Sequence, residues 1–176
     1  MKFLFLKSLG PLLLFSFAAQ AQKTEALFLD AAILKLKHAK QYTMEMASLM
    51  PEDKYSFKAN PVEMSFGGQL LHIASNMGWL CSSYLSTRQN PFSKEDAKLT
   101  NKKDILLALD KTYDFAIDVL QHFDANDLAD TVSFFAGPMN KLQIINLLSD
   151  HQTHHQGQII VYLRLNGIKP PDYVGW

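Results

Sequence analysis

Four segments of the chain have the length and composition of amphipathic helices. In the clearest one, residues 101–123, apolar residues such as Ile105, Leu109 and Leu120 recur three or four positions apart and form one stripe. The other three segments are residues 24–50, 65–87 and 140–166. Each segment has about 23 to 27 residues, a length that suits the helices of a four-helix bundle.

Residues that begin or end helices stand at the boundaries of these segments. Pro51 follows the first segment, and Ser65 is placed to cap the start of the second. Gly167 ends the fourth segment, and Pro170 and Pro171 lie just beyond it. These local patterns support four separate helices rather than one continuous helical stretch.

The connectors between the segments are polar or contain proline. Only residues 131–135 have the composition of a short strand. The chain has no internal repeat, no low-complexity tract and no second zone of different composition. The sequence therefore predicts an all-α fold, with one domain built as a four-helix bundle.

The first 21 residues are typical of a secretory signal peptide. Lys2 and Lys7 come before an apolar stretch, and small residues then lead to a cleavage site before Gln22. The uncharged stretch is shorter than the roughly 20 apolar residues of a spanning helix, and no cysteine follows the cleavage site to carry a lipid. We therefore expect residues 1–21 to be removed and residues 22–176 to form an exported domain, periplasmic or extracellular, without a stable membrane anchor.

Charge and cysteine content exclude two classes of protein. The chain carries 17 basic and 17 acidic residues, and loss of Lys2 and Lys7 with the leader leaves 15 basic residues against 17 acidic ones. Without a basic run to follow a phosphate backbone, we expect no nucleic-acid partner. Cys81 is the only cysteine, which excludes an internal disulfide and suits a small core residue.

Three of the six histidines fall within five positions, in the stretch DHQTHHQGQIIVYLRLNG. His151 and His155 are four residues apart and share one helix face, which is the usual spacing of a helical metal chelate. His154 is rotated by about 100° from His155, toward a flank of the helix. Because two imidazoles make an incomplete site, a third ligand must come from another helix.

His72 in the second predicted helix is the candidate for that third ligand. Small or polar residues lie one turn before it, at Gly68 and Gln69, and one turn after it, at Ser75 and Asn76. Such neighbours leave room beside an imidazole. Three neutral nitrogen ligands would hold a divalent ion and leave a coordination position open, the pattern of catalytic rather than structural sites.

Simpler interpretations stay open beside the metal site. A single buried histidine is most often satisfied by a hydrogen bond, and His38 and His122 stand alone among polar residues. His154 is a candidate to donate a hydrogen bond to a ligand of the ion, or to contact a substrate or a dimer partner. Gln158 is a candidate for contact with a substrate or a neighbouring helix. No residue stands out as a catalytic base or nucleophile.

The segments LLHIASNMGW and LLSDHQTHHQGQIIVYLRLNGIKPPDY resemble the DinB/YfiT-like superfamily of metal-binding four-helix bundles. The segment MPEDKYSFKANPVEMSFGGQLLHIA is similar to that family's approach to its second helix, with a P-x-x-x-[YF] turn and a serine before the histidine. The resemblance covers nearly all of the chain after the leader. Its final motif, H-x-x-H-H-x-G-Q…Y-L-R…G-x-x-P-P, is quite specific.

The resemblance implies an up-down-down-up bundle that is often dimeric and binds zinc, nickel or a similar ion through three histidines. Carried onto this sequence, the ligands are His72, His151 and His155. Zinc or nickel is favoured, and iron, cobalt, copper or manganese are alternatives. Characterised relatives include transferases and isomerases that use bacillithiol, mycothiol or glutathione, and others are described as metal-dependent hydrolases. These thiols are chiefly cytoplasmic, so the predicted leader disfavours a thiol transferase here.

The sequence thus leads to one main hypothesis and three alternatives. The main hypothesis is an exported, metal-dependent hydrolase or transferase that acts on a small molecule of unknown identity. The alternatives are a non-catalytic metal-binding, ligand-binding or stress-related module, a thiol-dependent S-transferase, and histidines that serve packing alone. A homodimer is expected from the resemblance only.

Overall fold

The computed structural model describes residues 10–174 of the 176-residue chain, with side chains from Lys23 onward. It contains four long helices and one small hairpin. The helices are α1 (Gly10–Leu49), α2 (Phe66–Leu80), α3 (Lys102–Gln121) and α4 (Lys141–Leu165), and the strands are β1 (Thr131–Phe134) and β2 (Gly137–Asn140). Three short 3-10 helices lie in the connectors, at Glu52–Lys54, Asp96–Lys98 and Ala125–Ala129.

The caps explain where the helices that carry the histidines begin and end. The Ser65 hydroxyl accepts a hydrogen bond from the Gly68 amide at the start of α2, which confirms the predicted cap. At the start of α4, Asn140 and Gln143 form a capping box in which each side chain accepts from the other residue's amide. Gly167 ends α4 with a positive φ of 72°, a conformation that glycine adopts without strain.

Contacts between the helix ends establish two antiparallel pairs. Lys102, at the start of α3, donates to the carbonyls of Ser48 and Met50 at the end of α1. Tyr162, near the end of α4, donates to the carbonyl of Met64 just before α2. Helix α1 therefore runs against α3, and α2 runs against α4.

The direction of α1 relative to α4 follows from two cavities that both helices line. Ala32 and Leu148 line one of them, and Tyr42 and Arg164 line the other, further along both helices. Helices α1 and α4 therefore run parallel. The order is up, down, down, up, which confirms the expected four-helix bundle.

A group of aromatic rings holds the start of α2 in place. Phe66 is fully buried, 5.2 Å from the ring of Tyr55 and 6.5 Å from the ring of Tyr162. The Tyr55 hydroxyl donates to the Ala47 carbonyl at 2.9 Å. These contacts join the ends of α1, α2 and α4, so they fix the part of α2 that carries His72.

The helical boundaries differ from the prediction at two places. Helix α1 begins at Gly10 rather than near residue 24, because helical structure continues into residues assigned to the leader. Helix α2 ends at Leu80 rather than near residue 87, and a π-helical turn over Cys81–Leu85 follows it. Cys81 is fully buried and unpaired, as expected of a core residue, and burial raises the pKa of its thiol to about 12.

The first nine residues of the predicted leader lie outside the described residues, and residues 10–21 continue α1. The existence and cleavage of the leader stay predictions. Within the described part of the chain, no helix is both long and apolar enough to cross a membrane.

The connector before α4 forms a two-stranded antiparallel hairpin rather than the single strand that the composition suggested. Thr131 pairs with Asn140, and Phe134 pairs with Gly137. Gly137 has a φ of 118°, a conformation disfavoured for other residues. A Gly-Pro sequence is typical of a loop, so the local composition does not predict β2. The hairpin places Phe134 and Phe135 beside the end of α2, where Phe134 packs against Trp79.

Candidate metal centre

The antiparallel packing of α2 and α4 brings three histidines together. His151 and His155 lie one turn apart on the side of α4 that faces α2, and His72 lies opposite them. One ring nitrogen of each histidine lies within 4.8 Å of the other two. The structure therefore assembles the triad that the sequence analysis proposed, and its side chains could hold a metal ion.

The three rings make close and similar contacts. The ring centroids are separated by 4.9 Å between His72 and His151, 4.6 Å between His72 and His155, and 4.5 Å between His151 and His155. The Nε2 atoms of His72 and His151 are 3.1 Å apart. His155 is 6% exposed, whereas His72 and His151 are half-buried, so two of the three side chains are partly accessible to solvent.

Gln69 sets the orientation of His155. Its Oε1 atom lies 2.6 Å from Nδ1 of His155, and the Gln69 side chain is buried. Because an amide oxygen only accepts hydrogen bonds, Nδ1 of His155 carries the proton and its Nε2 keeps a lone pair for the triad. Metal-binding histidines are commonly held in this way by an acceptor on the other nitrogen.

In the sequence, Gln69 is recognisable only as a polar neighbour of His72. The available signal was its position three residues before His72, which places both residues on the α4 side of α2. Its partner could not be identified without the register between the two helices.

The histidines of the triad are held in their neutral form. Burial, followed by the nearby charges of the other histidines, lowers the pKa of His151 and of His155 to about 4. Burial and the charge of His154 also lower the pKa of His72. Neutral imidazoles are the form that binds metal, so near pH 7 the site needs no loss of protons before an ion enters.

The donor set fits a divalent transition metal. At metal–nitrogen distances of about 2.0 to 2.1 Å, two ligands of a tetrahedral ion lie about 3.3 to 3.4 Å apart. The Nε2 atoms of His72 and His151 are separated by 3.1 Å, close to that value. Three imidazoles would leave a tetrahedral ion with one further coordination position, and His72 and His151 are only half-buried.

The other histidines and Gln158 are not part of the triad. His154 is exposed, with its ring in edge contact with His155 at 4.9 Å, and Gln158 is half-buried one turn further along α4. His38 lies on α1, and His122 is exposed beside Asp118 at the end of α3. The contacts proposed for His154 and Gln158 with a substrate stay predictions.

An aromatic cluster beside the hairpin was missed by the sequence analysis. Trp79 lies 5.6 Å from Tyr84, 5.7 Å from Phe134 and 6.3 Å from Phe135, measured between ring centroids. Phe135 is 83% exposed at the tip of the hairpin. Trp79 and Tyr84 are far in sequence from Phe134 and Phe135, and the hairpin brings the two pairs together.

The comparison with protein families agrees with the fold. A family model described as the DinB family matches residues 23–175. The chain belongs to the DinB family. Among curated proteins, the DinB chain is 24% identical over 129 residues to the uncharacterized protein YjoA of Bacillus subtilis (strain 168), covering 71% of this chain and 82% of YjoA.

Two crystal structures of DinB-like proteins share the fold. YjoA from Bacillus subtilis superposes with a TM-score of 0.68 at 19% identity, covering 81% of this DinB chain and 96% of YjoA. A DinB-like protein from Bacillus cereus superposes with a TM-score of 0.67 at 22% identity, covering 82% of this chain and 97% of that one. At these identities the likeness shows the bundle, and the chemistry must be argued from the site itself.

Proposed function

We propose that this DinB family protein binds one divalent metal ion through His72, His151 and His155 and acts on a small molecule as a metal-dependent hydrolase or transferase. The observation that carries the proposal is the convergence of three neutral imidazoles, one ring nitrogen of each lying within 4.8 Å of the others. Two of these residues are half-buried, so a small molecule can approach the same point.

Each residue of the site has a separate role in this proposal. The three histidines bind the ion, and Gln69 holds His155 in the tautomer that presents Nε2. Burial keeps the imidazoles unprotonated. The bound ion would supply Lewis-acid activation of a substrate oxygen or of the attacking group.

Zinc or nickel is the metal that we propose. Imidazole nitrogen is a borderline-soft donor that suits zinc, nickel, copper, cobalt and iron, and geometry and supply decide among them. No carboxylate or thiolate takes part in the triad, so ions that prefer oxygen ligands are disfavoured.

A non-catalytic metal-binding module is the second candidate, and one observation favours it. The groups that shift the pKa values of the three ligands are other histidines, and no carboxylate of the described residues is among them. Hydrolysis needs a general base near the ion. His154 is a titratable side chain outside the triad that contacts it, since its ring packs against His155.

Export and thiol use are linked parts of the proposal. If the predicted leader directs the protein out of the cytoplasm, hydrolysis or metal binding is favoured over transfer to a cytoplasmic thiol. Cell fractionation tests this point, because a protein of the exported fraction should begin at Gln22. A full-length cytoplasmic protein would instead favour the thiol-dependent S-transferase.

Elemental analysis of the protein, purified without a histidine tag, is the primary test. We expect about one ion per chain in the natural protein and in the His122→Ala control, whose histidine lies outside the triad. We expect loss of the ion in His72→Ala and His151→Ala with helicity retained. Absence of metal in the natural protein, even after incubation with zinc and nickel, would contradict the proposal.

Turnover separates the enzyme from the binding module. The metal-loaded protein is tested on panels of esters, amides and lactones, and on electrophiles with glutathione or bacillithiol. Hydrolysis that disappears in His72→Ala supports the hydrolase. Stoichiometric metal without turnover on any panel supports the module.

A further inference from the structure

The α2 face beyond His72 carries a polar group whose hydrogen-bonding partner is missing. Asn76 lies four residues after His72, so the two residues are one turn apart on the same side of α2. Its Oδ1 atom is buried and accepts no hydrogen bond from the described residues. Buried acceptors of this kind are rare, because losing water without a new donor costs free energy.

Asn76 lies in the seam between α2 and α4, next to the triad. The antiparallel register sets His72 beside His151 and Gln69 beside His155, which brings Asn76 level with Leu147 and Leu148. A ligand bound at the open side of the triad would therefore have Asn76 within about one helical turn. A donor on that ligand would satisfy the orphaned oxygen.

Trp79 continues the same face. It lies seven residues after His72, which corresponds to about 10 Å along the helix and nearly the same angular position. Trp79 is half-buried, and the exposed ring of Phe135 lies 6.3 Å from it. The indole packs beside Tyr84 and Phe134, so the aromatic cluster borders the α2 face that carries His72 and Asn76.

We infer that Asn76 and Trp79 form a recognition edge that extends the metal site, and that they select a ligand with two features. The ligand carries an N–H or O–H donor beside its metal-binding group, which Asn76 Oδ1 accepts. It also carries an aromatic or other planar apolar group, which packs against Trp79 and Phe135. The inference deepens the proposed function and rests on it, because it needs the metal to be bound by the triad.

Hydroxamates serve as the probes for the donor. Acetohydroxamate binds metal through two oxygens and keeps an N–H donor, whereas N-methylacetohydroxamate binds in the same way without the donor. Calorimetry with zinc-loaded protein gives the affinity for acetohydroxamate divided by the affinity for N-methylacetohydroxamate. We expect Asn76→Leu to reduce this ratio about five- to tenfold relative to the natural protein, as expected for one hydrogen bond.

Asn146→Leu is the matched control for the donor experiment. Asn146 lies exposed on α4, away from the seam, and its replacement should leave the ratio unchanged. If Asn76→Leu fails to fold, the smaller Asn76→Ala carries the same comparison. An unchanged ratio in a folded Asn76 variant would overturn the role of Asn76.

A second pair of probes tests the aromatic part. The natural, zinc-loaded protein should bind 3-phenylpropionohydroxamate about tenfold more tightly than hexanohydroxamate, because contacts between aromatic rings add to the burial of apolar area. Trp79→Leu should bring the ratio of these two affinities close to one. Tyr173→Ala, which removes an exposed aromatic residue near the other end of α4, should keep it.

The outcomes separate this inference from the proposed function. If neither zinc nor nickel loads, the proposed function fails, and if the loaded protein does not bind acetohydroxamate, the inference fails alone. If zinc loads and acetohydroxamate binds, but neither preference depends on Asn76 or Trp79, the inference fails alone. A dimer that Phe135→Ala dissociates would assign the aromatic rings to a second copy of the chain and overturn their role in recognition.

Discussion

His155 and Gln156 are neighbours on α4 and are equally buried, yet they belong to two different polar clusters. His155 faces α2 and joins His72 and His151. Gln156 faces α1 and α3, where its Nε2 donates to Thr43 Oγ1 at 2.8 Å and to a main-chain carbonyl at 3.3 Å. Thr43 in turn shares a hydrogen bond of 2.9 Å with the hydroxyl of Tyr113.

The two clusters differ in whether they are complete. Around Gln156, an amide and two hydroxyl groups form hydrogen bonds with one another. The cluster therefore satisfies polar groups that would otherwise be unpaired in the core. In the histidine cluster, three imidazoles converge, and Nε2 of His151 lies 3.1 Å from Nε2 of His72. An ion from outside would complete that cluster. On the proposed function, the core cluster stabilises the bundle and the histidine cluster is arranged for a ligand.

The largest expected effect is the loss of metal binding in His155→Ala. Removal of one of three ligands should lower zinc affinity by more than about 100-fold. This loss is larger than that expected from removing a residue that only hydrogen-bonds to a ligand. Competition with a chelator measures the affinity, and circular dichroism checks that the bundle is retained. His154→Ala is the control on the adjacent residue, and an equal loss in that variant would refute the assignment of the three ligands.

Gln69→Met should lower zinc affinity about 10- to 100-fold, because His155 loses the acceptor that fixes its tautomer. Gln156→Met is the reciprocal control. It should lower the free energy of unfolding by about 1 to 3 kcal/mol, since Thr43 loses its donor, and leave zinc affinity unchanged. Similar losses of zinc affinity in both variants would mean that the two clusters are not independent.

The stability of the metal-free protein should depend on pH through His151 and His155. Their pKa values are lowered to about 4 in the folded protein, whereas an unfolded histidine has a pKa of about 6.5. The unfolded chain therefore binds more protons between these values, and the free energy of unfolding should fall as the pH falls from about 6.5 to about 4.

Urea unfolding at a series of pH values measures this dependence. His151→Gln should flatten the curve in that window, whereas His122→Ala, which changes an exposed histidine, should leave the slope as it is. A slope that is the same in the natural protein and in His151→Gln would count against burial of the neutral imidazole.

The smallest expected effect is that of Tyr113→Phe. This change removes one hydroxyl from the core cluster, while Thr43 keeps its bond with Gln156. We expect a loss of about 1 kcal/mol in the free energy of unfolding and no change in zinc affinity. Chemical denaturation and calorimetry check both values, and weaker zinc binding would show that the clusters are coupled.

The features that could be predicted from the sequence are those set by local spacing. The four-residue spacing of His151 and His155 places both on one face of a helix, and the Ser65 and Gly167 patterns mark helix ends by local hydrogen bonding and backbone conformation. His72 could be proposed because its neighbours are small or polar. The helix directions came from the family resemblance.

The features that could not be predicted depend on register between distant segments. Gln69 is recognisable as a partner of His155 only when α2 and α4 are aligned, and the contact between Thr43 and Tyr113 needs α1 aligned with α3. The strand β2 begins with Gly137 and Pro138, which are typical of a loop. Pairing with β1 overrides that local preference.

The site joins segments that are far apart along the chain, since His72 and His151 are separated by 79 positions. Both helices of the seam also pack against α1 or α3, so separating α2 from α4 is a local opening that need not unfold the other contacts. An ion held across the seam would have to leave before that opening. Amide hydrogen exchange would then slow along α2 and α4 on metal binding, and the contact between α1 and α3 would keep its own rate of opening.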